Sequence, residues 1–329
     1  MDLSVLEKTE LIVADDLSFK STADKDYEKL QSWVNTTSYS MLLTLHSCPR
    51  RYQLVKARAA GGGSQSMNVD FAYGHTVGAG VQNWLVTGDL DIALFNGFMA
   101  WRIPYEASID KSKKTLWNAL LAVMKYPDFH REVLDEWEVL VLPNGKPAIE
   151  LSFSVDFENG YKHYCHVDVI LINKRTKQLA VQENKTTGSK SVEEAYYANS
   201  SQALSYAVLL DQLQVDASYE VFYCVYSTTS REWQLLPFTK NNTLRAEWIN
   251  DVKLDHAAIS TYRSIEFFPK RGESCFSFNR RCEFFGECNL TGHLPPMKEL
   301  PATEEAEPTD FQFTVSQIIQ QQKVKNENQ

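Results

Sequence analysis

Apolar and polar residues mix without a clear period up to residue 37, which reads as a lead-in to the fold. From Ser38, placed to cap a helix, Tyr39–Ala59 takes on helical spacing and runs into the flexible Gly61-Gly62-Gly63-Ser64. Residues 70–87 and 89–125 read as further helices, with Trp84, Leu85, Leu94 and Phe98 among their apolar positions. The period then drops to two. Ala148–Glu158 alternates as a strand, with Ile149, Leu151, Phe153 and Val155 on one face. Tyr164–Asn173 and Gln178–Asn184 form a hairpin across the polar turn Lys174-Arg175-Thr176-Lys177. A helix over 191–213, strands Ser218–Ser227 and Glu232–Phe238, and a helix Thr243–Arg263 follow. Beyond Leu294 the chain is rich in Pro and Glu, then in Gln, Lys and Asn, as in a disordered tail or a partner-binding extension. The order predicts an α/β (α+β) fold, a mixed-sheet core flanked by helices. It divides into a lead-in (1–37), one domain (38–292) and a tail (293–329).

Composition narrows this picture. Of 329 residues, 43% are hydrophobic and 12% aromatic, enough for a sizeable core and unlike a disordered chain. No apolar run reaches the length of a membrane-spanning helix. Met1–Asp16 is acidic and lacks the basic and apolar regions of a signal peptide, so a cytoplasmic location is expected, the host's if the chain is viral. The net charge of −9 neither supports nor excludes nucleic acid, because phosphate contact needs only a local basic patch. Arg50, Arg51, Lys56 and Arg58 offer one such patch, and Lys270, Arg271, Arg280 and Arg281 another; ordinary solvated charges account equally well for about half of these residues.

The chemistry centres on His166-Val167-Asp168 and, fifteen residues after the aspartate, Glu183-Asn184-Lys185-Thr186. Alternation puts Glu183 and Lys185 on one strand face, and a neighbouring antiparallel strand can bring Asp168 to Glu183. Two carboxylates and the Asn184 carbonyl suit a hard divalent cation, Mg²⁺ or Mn²⁺. Such an ion acidifies bound water and neutralises charge on an attacked phosphate, while a lysine beside it orients water or stabilises developing negative charge. The same residues also fit an ion pair on an exposed strand. Gln202 and Tyr206, four apart on the next helix, share a face that could hold DNA, or they pack structurally.

Six cysteines in such a chain do not suggest a disulfide framework. Cys275, Cys282 and Cys288 lie close together in loop-like sequence and suit zinc or an iron–sulfur cluster, either of which needs a fourth ligand. Cys165 and Cys224, in predicted strands, read as buried thiols.

Taken in order, these residues resemble the RecB-like branch of the PD-(D/E)XK nucleases. That branch includes AddB-type helicase-nucleases and the CRISPR-associated and viral exonucleases that carry a four-cysteine cluster. The resemblance spans about residues 38–290. It runs through Cys48-Pro49-Arg50-Arg51-Tyr52, Gly74-His75, Glu150, Asp168, Glu183-Asn184-Lys185-Thr186, Gln202 with Tyr206, and Cys275, Cys282 and Cys288. It departs from the family at the Gly-x-x-x-His pattern, where Gly78 stands and His75 falls about one helical turn earlier.

The resemblance implies a metal-dependent DNA nuclease, an exonuclease on DNA ends or single strands in recombination, repair or viral DNA processing, with a helicase or recombination protein as a possible partner. It implies catalysis by Asp168, Glu183 and Lys185, and DNA contacts from Gln202, Tyr206, Arg50 and Arg51. Asp168, Glu183, His75 and Glu150 would form the divalent-ion shell. A [4Fe–4S] cluster on Cys48, Cys275, Cys282 and Cys288 would clamp the two ends of the domain, zinc being the alternative. Two rivals use the same residues differently: a catalytically silent DNA-binding or scaffolding protein on this fold, and a zinc-stapled interaction module.

Overall fold

A computed structural model describes residues 35–60, 69–103, 113–214, 216, 218–277, 280–290 and 311–320. The glycine run at 61–64, the lead-in up to residue 34 and most of the tail lie outside these residues, as does the side chain of Arg58.

The expected helix 39–59 is two helices, α1 (Tyr39–Ser47) and α2 (Pro49–Ala60), which follow the short strand β1 (Thr36–Ser38). Ser38 caps α1 through Met41 N, as its position suggested. The break falls at Cys48, in extended backbone, because Pro49 disfavours a helical residue before it and suits a first helical turn. Next come α3 (Val69–Thr87), α4 (Leu90–Ala100) and α5 (Leu116–Val133). The single helix expected over 89–125 is therefore split, and its second part runs through Pro127. After β2 (Trp137–Val139), β3 (Ile149–Asp156), β4 (Lys162–Asn173) and β5 (Leu179–Thr187), the segment 191–213 gives a short α6 (Glu194–Ala198) and α7 (Ser201–Leu213). Then come β6 (Ser218–Ser227), β7 (Glu232–Asn241) and α8 (Asn242–Ser264). A small β8–β9 ribbon (Phe276–Ser277, Arg280–Arg281), α9 (Phe285–Leu290) and β10 (Phe311–Thr314) complete the described chain.

The strands form a mixed eight-stranded sheet in the order β10-β3-β4-β5-β6-β7, with β1 and β2 each pairing with β4. The fold is the expected α/β class. The expected unstructured tail does not hold for 311–320: β10 pairs in parallel with β3, Phe311 stacks on Phe153, and Val315 and Ile318 are buried.

Residue contacts divide the described chain into two compact units, where the sequence suggested one domain. The first holds residues within Ser66–Leu151 and His166–Arg245. Its core joins Tyr73, Val77 and Val81 of α3, Ala119, Ala122 and Tyr126 of α5, and one sheet face carrying Val169, Leu171, Ala180, Phe222, Cys224 and Tyr226. The β5–β6 pairing is parallel, and the crossover carries α6 and α7, with α7 packing on both strands. Glu183 is therefore buried although its strand reads as polar: both faces of β5 are covered.

The second unit holds residues within Val13–Gln65, Ser152–Cys165 and Ala246–Gln329. Here the segment around Cys48 meets the later cysteine segment through Arg50 N donating to Pro269 O (3.0 Å), Ser274 Oγ to Ser47 O (2.6 Å) and Lys270 Nζ to Cys288 O (2.7 Å).

Candidate active site

In the antiparallel ladder of β4 and β5, Val169 stands opposite Gln182. One step on, Asp168 and Glu183 face each other across the strands, and alternation puts both on the sheet face that α7 packs against. The ladder ends there, which frees the Asn184 backbone N–H, and Asp168 Oδ2 accepts it at 2.9 Å. Burial first, then the Glu183 charge, push the Asp168 carboxyl well above the usual carboxylate range; the Asn184 N–H and Lys185 oppose this, and Glu150 adds to it. The Asp168 carboxyl thus feels the other two acids.

Glu183 is only 3% exposed. Its Oε1 accepts from Lys185 Nζ at 2.5 Å and from Gln202 Nε2 at 3.0 Å. Its Oε2 is buried and has no hydrogen-bond partner among the described residues. Burial pulls the Lys185 ammonium down, but Glu183, by charge and hydrogen bond, together with Asp168, outweighs it, and the pKa ends above the usual lysine range. The two acids and the ammonium lie on a common face, and the ion pair is half-buried, its glutamate covered and its lysine partly exposed.

Gln202 and Tyr206 share a helix face as expected, but they are turned inward. Gln202 Nε2 also contacts Tyr206 Oη at 2.6 Å, and Tyr206 is buried. Gln202, half-buried, holds Glu183, and Tyr206 holds Gln202. The opposite face of β5 carries a second network that the sequence did not signal: Gln182 Nε2 donates to Tyr126 Oη (2.7 Å) and Asn184 Oδ1 (3.0 Å).

Glu150 has φ of 51°, in the left-handed region that a non-glycine residue enters at a cost of about 1–3 kcal/mol. Its carboxylate accepts from Gln82 Nε2 of α3. Gln82 had no sequence signal, because its partner lies 68 residues away. His75 shares α3 but is exposed, about 10 Å along the helix axis from Gln82. It makes no hydrogen bond or ion pair to Asp168, Glu183 or Glu150 among the described residues.

The expected basic patch of the second unit is partly structural. Lys56 is 1% exposed and gives its ammonium to Thr36 O at 2.7 Å. Arg50 donates to Gln53 Oε1 at 3.0 Å and Arg51 lies 3.4 Å from Glu283 Oε1, both partly buried. Cys48 is buried, and Cys275, Cys282 and Cys288 are partly so. The Cys275 thiol is pushed up by burial and then by Cys282, Cys48 and Cys288, which places the four thiols in one neighbourhood. Cys165 and Cys224 are buried free thiols, as read. Among the described residues, no three His, Cys, Asp or Glu side chains form a ready-made metal cage. No described helix is long and apolar enough to cross a membrane.

No family model matches the chain, and no curated protein matches it. Solved structures are similar, among them the following two. One is the crystal structure of a "Putative exonuclease" from Eubacterium rectale: 11% identity, 84% of this chain and 95% of that chain covered, TM-score 0.47. The other is that of SSO0001: 13% identity, 64% and 85% covered, TM-score 0.26. Likenesses this remote leave the site's own residues to decide what it does.

Proposed function

We propose that this protein is a divalent-metal-dependent nuclease that hydrolyses DNA phosphodiester bonds at the site of Asp168, Glu183 and Lys185. The observation that carries the reading is Glu183: a buried carboxylate with one oxygen held by Lys185 and Gln202 and the other unpaired, across the strands from a second, half-buried acid. An orphaned buried carboxylate oxygen is costly unless something positive meets it. Two carboxylates, with water and substrate phosphate completing the shell, are the donor set Mg²⁺ uses, so the absence of a three-residue cage does not argue against it.

Asp168 and Glu183 would hold the ion, with the Asn184 carbonyl beside them; Glu150 is near enough to add charge, and His75 is not part of the shell. Bound there, the ion would supply an acidified water and neutralise phosphate charge. Lys185, kept protonated by its two acidic neighbours, is a fixed hydrogen-bond donor toward charge building on the phosphate and not a base. Gln202 fixes the rotamer of Glu183, and Tyr206 fixes Gln202. Exonucleolytic action on ends or single strands, and a place in recombination, repair or viral DNA processing beside a helicase or recombination protein, belong to the same proposal, as does a cytoplasmic location.

The test is cleavage of labelled single-stranded and duplex DNA by the purified full chain with Mn²⁺ or Mg²⁺, beside EDTA controls and Lys185→Ala. Metal-dependent cleavage lost in the variant is expected; equal cleavage by both proteins removes the mechanism.

We further propose that Cys48, Cys275, Cys282 and Cys288 hold a [4Fe–4S] cluster, supported by the influence of the other three thiols on that of Cys275 and by their soft donor set. Zinc would perform the same mechanical role. Anaerobically purified protein that is brown and absorbs in the visible supports the cluster; colourless protein with stoichiometric zinc overturns it.

A further inference from the structure

Tyr196 is 72% exposed, an unusual place for a large ring beside a buried site. It belongs to the short α6, in the crossover that leads from the Glu183 strand to α7. Its ring meets that of buried Tyr197 edge-on, with centroids 5.1 Å apart and planes at 81°. Tyr197 in turn meets Tyr223 at 4.9 Å, and Tyr223 pairs with Glu183 in the β5–β6 ladder. Tyr223 and Tyr197 each interact electrostatically with Lys185. Three rings therefore form a chain from the neighbourhood of the Lys185 ammonium out to solvent.

The outer end of this chain is held firmly. Lys240 is buried and spends its ammonium on the Ala198 carbonyl at 2.6 Å, at the end of α6. The same ammonium lies 5.5 Å from the centroid of Phe238, whose ring meets Tyr223 at 6.1 Å. Keeping a large ring in water contributes nothing to the hydrophobic core. A ring whose backbone is already fixed, however, loses little freedom when a flat partner lands on it.

We infer that Tyr196 is a stacking platform for an unpaired nucleobase of the DNA taken by the site built on Glu183 and Lys185; this rests on the nuclease reading above. The partner must be flat, present a π face and be attached to a phosphate that reaches Lys185, and a nucleobase in a single strand meets all three needs. In a duplex, base faces are occupied by their neighbours; in a single strand they are free to stack on protein rings. Such stacking tolerates any base, so the site selects strandedness and not sequence.

The experiment measures binding of a fluorescein-labelled oligothymidylate, and of an abasic oligonucleotide of equal length, in EDTA so that nothing is cleaved. Wild type, Tyr196→Ala and Tyr196→Phe are compared. Tyr196→Ala is expected to weaken binding of the base-bearing strand roughly 5- to 150-fold. Tyr196→Phe keeps wild-type binding, and the abasic strand does not distinguish the three proteins. Equal binding of oligothymidylate by wild type and Tyr196→Ala, or equal losses on both strands, overturns stacking, as does wild type that binds neither. The nuclease reading fails separately: Lys185→Ala that still cleaves removes that reading alone, while a base-dependent loss in Tyr196→Ala still supports stacking.

Discussion

Lys185 Nζ lies 2.5 Å from Glu183 Oε1, a contact between two residues on the same face of one strand that leaves the other glutamate oxygen without a partner. The pair serves two roles that mutation can separate. Lys185→Met should lower the cleavage rate by about 10²–10³, the usual cost of one preorganised donor at a developing charge. It should also lower unfolding free energy by about 1–3 kcal/mol, because Glu183 loses a partner while remaining buried. Adding Glu183→Gln should restore stability without restoring cleavage. Denaturant unfolding and single-turnover rates on the two variants check this; a double variant that regains activity would show that the pair is structural only.

The strand that carries this pair was legible in the sequence because period two and the Glu-x-Lys spacing are local facts. So was the meeting of Asp168 with Glu183, since a hairpin fixes which residues face each other. The inward turn of Gln202 and Tyr206 was not legible: a shared helix face does not say whether that face meets the sheet or solvent. Gln82 and Glu150 were hidden for a different reason, a contact across 68 residues resting on a left-handed backbone that no local pattern encodes. Lys56 looked like a phosphate ligand because sequence shows charge and not burial. The break at Cys48-Pro49 was written in the chain but was overridden by the helical spacing on either side of it.

The orphaned Glu183 oxygen predicts how the fold responds to metal. Mn²⁺ should raise the unfolding temperature of wild type in proportion to the logarithm of its concentration, with about 2.7 kcal/mol gained at a hundredfold excess over Kd. Glu183→Gln and Asp168→Asn should each abolish the shift, and His75→Ala should leave it intact, since His75 is exposed and makes no hydrogen bond or ion pair to the acids among the described residues. Differential scanning fluorimetry decides; loss of the shift in His75→Ala would return that histidine to the shell.

Arg245 and Asp211 form an ion pair with both side chains fully buried, Nε to Oδ2 at 3.0 Å and Nη2 to Oδ1 at 3.1 Å. Arg245 also donates to the carbonyls of Lys240 (2.7 Å) and Asp216 (2.8 Å) and sits over the Tyr219 ring. It ties the end of α7 to the start of α8. Removing one partner strands a buried charge, so Asp211→Ala should cost about 3–5 kcal/mol, whereas Arg245→Met with Asp211→Leu should cost clearly less than the sum of the single changes. A double-mutant cycle by urea unfolding measures this, and strict additivity would remove the pair as a coupled unit.

Gly80 lets α3 and α5 approach closely. A Cβ there would stand 2.8 Å from Val123 Cγ1 and closer still to Cγ2, and a β-branched side chain in a helix has little freedom to swing away. Gly80→Ala gains about 1 kcal/mol of helix propensity, but overpacking costs typically 1–3 kcal/mol, so a net loss is expected. Val123→Ala placed in the Gly80→Ala background should then be less harmful than in wild type. Thermal unfolding of the three variants settles the sign; a Gly80→Ala protein more stable than wild type would mean that the helices have room to part.

Thr37 Oγ1 stands between His163 Nδ1 at 3.1 Å and His256 Nε2 at 3.0 Å, in the second unit. Both rings are buried among aromatic neighbours: His256 stacks on Tyr161 at 4.6 Å, and His163 meets Trp248 at 5.2 Å. Burial, and then the proximity of His256, lowers His163 to about 3; burial lowers His256 to about 4 against the pull of Asp255. The ordinary value is 6.5, so as pH falls from 6.5 toward 4 the unfolded chain takes up two protons that the folded chain refuses. Stability from these groups is therefore complete above 6.5 and declines through that window, by up to about 1.4 kcal/mol per pH unit for each histidine. His256→Phe keeps a ring on Tyr161 and removes one titrating group, so its stability should fall about half as steeply with acid. Urea midpoints across this pH range test the slope, and parallel lines for wild type and variant would show that His256 takes up its proton in the folded state as readily as in the unfolded one.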